Sequence, residues 1–224
     1  MISNDFIDLE TLPQLVQKTT QLLEAAVDEL LLIRWTDSEA NTDSEYSSLA
    51  CQKFQEAFAL FDYKNIIVEE INPPDIQITF KLIKDDMTSE IIKRKIELKS
   101  CKGSTLIPGS TIKKLDFNSW VIFCRRSSSN SKFDFRYGRY YLGINITQED
   151  RFQDRTPRPH LNWNKYQIST DAPILDKITN DKEWIKRYAR AAINRVQANK
   201  KSWQDDLVRE IIRIAILEDI SLND

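Results

Sequence analysis

The sequence predicts an α/β (α+β) fold, with a central mixed β-sheet flanked by helices. Three observations predict it. Helical periodicity opens and closes the chain, a period of two governs residues 75–99, and a continuous apolar run follows at 120–124.

Each element has its own signal. Residues 10–34 set Leu12, Leu15, Val16, Leu22, Leu23, Ala26, Val27, Leu30 and Leu31 on one long amphipathic helix, suited to a core or a dimer interface. Residues 36–48 are polar and acidic and predict a loop. Residues 49–63 repeat Ala50, Phe54, Ala57, Phe58 and Phe61 at helical spacing, a stripe that packs on a sheet. From Asp75 onward, Ile76, Ile78, Phe80 and Leu82 alternate with Gln77, Thr79 and Lys81, the pattern of a half-buried strand. Beyond a polar loop at 84–90, Ile92, Ile96 and Leu98 fall on one face, with Lys93, Lys95, Glu97 and Lys99 on the other. The run Trp120-Val121-Ile122-Phe123-Cys124 reads as a buried central strand. A serine-rich turn at 127–131 precedes a further strand at 139–146, with Gly143 marking a bulge. Amphipathic helices at 181–196 and 203–217 close the chain.

Composition bounds the rest. The 224 residues are 41% hydrophobic and hold only four glycines, with no linker-like stretch, so one domain spanning 1–224 is expected. Cys51, Cys101 and Cys124 are an odd set without metal-ligand spacing, and a structural role is expected for Cys101 and Cys124. The acidic N-terminus lacks the apolar run of a signal peptide, and no stretch approaches a membrane span. A soluble, cytoplasmic protein is expected. No repeat, glycine-rich phosphate loop or heptad array is present. Charge is distributed unevenly: residues 1–92 carry 18 acidic against 6 basic residues, whereas residues 93–126 carry nine basic residues against Glu97 and Asp116. This asymmetry predicts a phosphate-facing surface beside residues 93–99.

The chemistry concentrates at Asp75, Glu97 and Lys99. Glu97 and Lys99, two apart on a strand, project the same way. If the strands at 76–82 and 92–99 pair as a hairpin, Asp75 and Glu97 converge at one end of the sheet beside Lys99. Two carboxylates suit Mg²⁺, which binds through one or two such groups and completes its shell with water and substrate phosphate. A lysine beside them orients or helps deprotonate a water and stabilises charge on a phosphorane-like transition state. The alternative is a solvated hairpin whose Glu97 and Lys99 form a surface ion pair of little energetic value.

Pro74-Asp75 and Glu97-Leu98-Lys99 resemble the motif of the PD-(D/E)xK nuclease superfamily, most of all type II restriction endonucleases. The resemblance covers residues 52–126. It implies a restriction-endonuclease-like core at about residues 49–126, with Asp75 and Glu97 as Mg²⁺ ligands and Asp75, Glu97 and Lys99 as catalytic residues. It also implies hydrolysis of double-stranded DNA to 5′-phosphate and 3′-hydroxyl ends. Many members carry an acidic residue at the edge of the preceding helix. Here either Gln55 replaces it or a rotation of the helix brings Glu56 in.

Cutting both strands of a palindromic site needs two active sites, so a homodimer is expected. Two segments are candidates for DNA contact. Lys102 and Ser104 lie in a glycine-containing loop after Lys99, with Lys113 and Lys114 beyond, all suited to phosphate oxygens. Residues 149–166 supply Arg155 and Arg158, suited to base edges. His160 is expected to be a hydrogen-bonded loop residue. A repair or junction-resolving nuclease, and a non-catalytic DNA-binding protein on a nuclease-like scaffold, are the alternative functions.

Overall fold

The alternation in the sequence becomes a five-stranded mixed sheet. Its strands are β1 (Ile66–Asn72), β2 (Ile76–Ile83), β3 (Ser89–Lys102), β5 (Trp120–Arg126) and β6 (Phe133–Arg139), in the order β1-β2-β3-β5-β6. Only β3 and β5 run parallel. The computed structural model describes residues 6–35, 44–85, 87–109, 119–145 and 160–171. The expected helices at 181–196 and 203–217 fall outside them. Among the described residues the fold is α+β, and no helix is long and apolar enough to cross a membrane.

One face of the sheet carries the main core. Ile76, Ile78, Phe80 and Leu82 of β2, Ile92, Ile96 and Leu98 of β3, and Trp120, Ile122 and Cys124 of β5 are buried there. They pack beneath α1 (Leu12–Ala25), α2 (Val27–Leu32) and α3 (Ser44–Ala59). Each fully buried aliphatic or aromatic side chain contributes about 1.5–3 kcal/mol, which explains why the helices seat on this face. A π-helical turn at Ile7–Thr11 runs directly into α1, and Pro13, which lacks an N–H, removes one intrahelical bond just after it. A bidentate Arg94–Asp8 pair ties β3 to the segment preceding α1, and Arg139 donates to the Asp8 carbonyl at 2.6 Å.

The opposite face is covered by a small sheet. Strands β4 (Leu106–Pro108), β7 (Ile144–Asn145) and β8 (His160–Asn162) pair in the order β4-β8-β7. Val121, Phe123, Tyr140, Leu161, Trp163 and Tyr166 form a second core beneath it. Edge-to-face contact between Phe123 and Trp163, with centroids 5.0 Å apart, fixes its centre.

Five elements differ from the sequence reading, the first being α3, which begins at Ser44 inside the loop expected over 36–48 and ends at Ala59. The helix expected over 10–34 is broken at Ala26 (φ −89°, ψ 40°) into α1 and α2. β1 carries no simple alternation because a register shift between Val68 and Glu70 interrupts it. The strand expected over 139–146 is instead β6 followed by a 3₁₀ turn at Tyr140–Gly143 and the two-residue β7. His160 opens β8 rather than lying in a loop.

Gly143 marks a close approach rather than a bulge. A Cβ placed there would lie 2.1 Å from the Tyr166 hydroxyl oxygen. Gly143→Ala must therefore displace the buried Tyr166 ring, at a cost of about 1–3 kcal/mol measured by urea unfolding. A variant as stable as the wild type would mean that Tyr166 is not packed against this turn.

Candidate active site

Strand register brings the predicted residues together. β2 and β3 pair antiparallel with Ile76 opposite Ile96, so Asp75, one residue before β2, faces Glu97. Asp75 adopts a left-handed backbone conformation (φ 59°), which aspartate tolerates better than most non-glycine residues. Leu98 lies just past the last β2–β3 pair, and its amide donates to Asp75 Oδ1 at 2.9 Å. The side chain of Asp75 thus supplies the acceptor that a longer β2 would have offered through its backbone.

Glu97 is buried, with 3% of its surface exposed. Its neighbour in β5 is Val121, and the second core lies behind it. Two ammonium groups on its own strand face hold it: Lys95 donates to Oε1 at 2.6 Å and Lys99 to Oε2 at 2.7 Å. Lys95 also reaches Asp75 Oδ2 at 3.0 Å. Asp75, Glu97, Lys95 and Lys99 therefore form one network in which every carboxylate oxygen has a partner.

Burial pushes the Glu97 carboxyl upward, but attraction to Lys99 and Lys95 and their hydrogen bonds outweigh it, leaving its pKa at about 2. For Lys95, burial pulls the ammonium down, and Glu97 and then Asp75 more than compensate, so its pKa is raised. Burial raises the Tyr166 phenol well above its ordinary value, with Tyr140 and then Glu97 adding to the effect. The surface ion pair weighed from the sequence is therefore a buried one, with a larger cost of disruption.

The preceding helix brings no acid to the network. Glu56 is held by Gln52 and Lys53, and Gln55 lines a groove with β1. The α3 side chain that reaches Asp75 is Cys51, whose thiol donates to the Asp75 carbonyl at 3.5 Å. Burial, then the nearby Asp75 charge, pushes that thiol up to about 11. Among the described residues, no cluster of three or more His, Cys, Asp or Glu side chains is suited to a metal. The pair nevertheless fits Mg²⁺, because one oxygen from each carboxylate already converges on a single cation, the Lys95 ammonium.

The expected DNA contacts are less well placed. Lys102 is exposed but, by alternation along β3, projects from the face opposite Glu97 and Lys99. The Ser104 hydroxyl donates to the Leu106 carbonyl and accepts from the Leu106 amide, closing a local turn. Lys113, Lys114, Arg155 and Arg158 fall outside the described residues. Among the described residues, most of the basic run is also engaged internally. Arg94 pairs with Asp8, Arg125 with Asp134, and Arg126 stacks over Trp35 with its guanidinium carbon 4.5 Å from the ring centroid. Cys101 is buried: burial raises its thiol to about 11 despite Arg125 and Arg126, and it donates to the Ser104 carbonyl.

The chain matches no protein-family model, no curated protein and no solved structure. The functional reading therefore rests on the residues. The sequence reading counted Lys95 only within the basic surface and gave Cys51 no place at the site. The signal for Lys95 was present in the Lys95-x-Glu97-x-Lys99 spacing, which sets a cation on each side of Glu97.

The Glu97 pKa has a measurable consequence. A carboxyl lowered from 4.5 to about 2 on folding stabilises the protein above pH 4.5, and that contribution disappears as pH falls towards 2. At about 1.4 kcal/mol per pH unit this amounts to roughly 3 kcal/mol. The unfolding free-energy difference between wild type and Glu97→Gln should be largest above pH 4.5 and shrink as pH approaches 2. A difference independent of pH would mean that Glu97 is not held by its lysines.

Proposed function

We propose that this protein is a Mg²⁺-dependent endonuclease of double-stranded DNA, acting as a type II restriction enzyme and as a homodimer. The observation that carries the reading is the convergence of Asp75 and Glu97 on one cation position with Lys99 alongside. Asp75 and Glu97 are the ligands for Mg²⁺, which when bound supplies Lewis-acid polarisation of the scissile phosphate and a more acidic water.

The chain's own groups have separate tasks. The Leu98 amide fixes the Asp75 carboxylate, so its second oxygen is held towards Glu97 without reorganisation during reaction. Lys99 donates to Glu97 Oε2 at 2.7 Å, which sets it beside the carboxylate pair for an electrostatic role. It offsets the charge that develops on the phosphate oxygens as water adds to phosphorus. The attacking water gives up its proton to solvent, the bond from phosphorus to the 3′ oxygen breaks, and that oxygen takes a proton from solvent, leaving a 5′-phosphate and a 3′-hydroxyl. The second core behind Glu97 keeps bulk water from that side of the pair.

A non-catalytic scaffold is the second reading, favoured by Glu56 of α3 being held by Gln52 and Lys53 away from the network and by a carboxylate pair already neutralised within the chain. Purified protein incubated with unmethylated phage DNA separates the readings. Discrete fragments are expected with Mg²⁺ and none without it. Lys99→Ala should lower the cleavage rate at least about 10²-fold while the protein stays folded by circular dichroism. A smear would favour a repair nuclease. Intact DNA with several sequences and metals would overturn the nuclease reading in favour of the scaffold.

A further inference from the structure

We propose that Lys95 is a tethered counter-ion holding the cation position between Asp75 and Glu97, which a divalent ion must displace in order to bind. The inference rests on the reading of that pair as the Mg²⁺ site and adds a residue that controls its occupancy.

The geometry distinguishes Lys95 from Lys99. Asp75 Oδ1 is committed to the Leu98 amide and Glu97 Oε2 to Lys99. The two remaining oxygens, Asp75 Oδ2 and Glu97 Oε1, both point at Lys95 Nζ, 3.0 and 2.6 Å away. These are the oxygens a bridging cation needs. The Lys95 side chain is 38% exposed, against 17% for Lys99. Lys95 therefore reaches the pair from the solvent side, and its flexible four-carbon stem leaves it room to withdraw.

Charge gives this arrangement a purpose. Two carboxylates and two ammonium groups sum to zero, so the network is stable without metal and has little net attraction for a phosphodiester. Replacing the Lys95 ammonium with a divalent ion leaves the pocket positive, with Lys95 still tethered nearby. Net attraction for the DNA backbone thus follows cation binding. The cost falls on metal affinity. The apparent dissociation constant rises by the reciprocal of the fraction of molecules in which Lys95 is withdrawn. An ammonium docked in nine molecules out of ten weakens binding about tenfold.

The test is Mn²⁺ binding by calorimetry in the absence of DNA. Lys95→Met should tighten binding at least tenfold over wild type. Lys93→Met, which removes an exposed charge from the same strand face, should change it less than threefold, and Asp75→Asn should abolish it. In wild-type protein carrying ¹³C-lysine, saturating Mg²⁺ should move the Lys95 ε-methylene signal, assigned with Lys95→Arg, to the position of a solvent-exposed lysine. The Lys99 signal should stay near the carboxylate-paired position. Binding that depends on Asp75 but is unaffected by Lys95→Met, with an unmoved Lys95 signal, would overturn the counter-ion role and leave the metal site standing. No Asp75-dependent binding in any variant would overturn both.

Discussion

The pairing of β2 with β3 sets the chemistry of this protein. With Ile76 opposite Ile96, the residue before β2 must face Glu97, and the Leu98 amide is left to be satisfied by a side chain. A slip of one residue would send Ile76, Ile78, Phe80 and Leu82 to the wrong face and expose the main core. Register is therefore fixed by burial of apolar side chains, and the carboxylates meet as a consequence. The site inherits its precision from the core.

Alternation along β3 then separates two environments across one strand. Ile92, Ile96 and Leu98 lie under the helices, while Lys95, Glu97 and Lys99 emerge on the other face beside the second core. Burying Glu97 beside Val121 would be prohibitive for an isolated carboxylate. Two lysines at two-residue spacing make it tolerable, and the result is an ionised acid at an apolar boundary. An ionised acid there is both a structural hazard and a potential ligand. Replacing the network with apolar residues would be a simpler way to fill the space, so packing alone does not account for it.

The central strands and the converging pair were legible because apolar alternation is unbroken from Ile76 to Leu82 and the carboxylates share its polar face. β1 was not, since its bulge between Val68 and Glu70 destroys the period on which the reading depends. Tyr140-Tyr141-Leu142 has strand-like composition, yet it folds as a 3₁₀ turn whose Gly143 sits against Tyr166. The break at Ala26 carries no glycine or proline to announce it. At the site, a basic run looked like a phosphate-facing surface, but charge counting cannot tell a solvated guanidinium from one spent on Asp8, Asp134 or Trp35. Lys95 was likewise counted as part of that surface, although its ammonium lies between the two acids.

Asp75 and Glu97 are proposed to make one cation site. Crystals of the wild-type protein soaked in Mn²⁺, with anomalous difference density collected at the manganese edge, test it most directly. The account predicts a peak within coordinating distance of Asp75 Oδ2 and Glu97 Oε1, with the Lys95 ammonium moved away. A fully occupied Lys95 bridge with manganese absent from the pair at saturating concentration would contradict it.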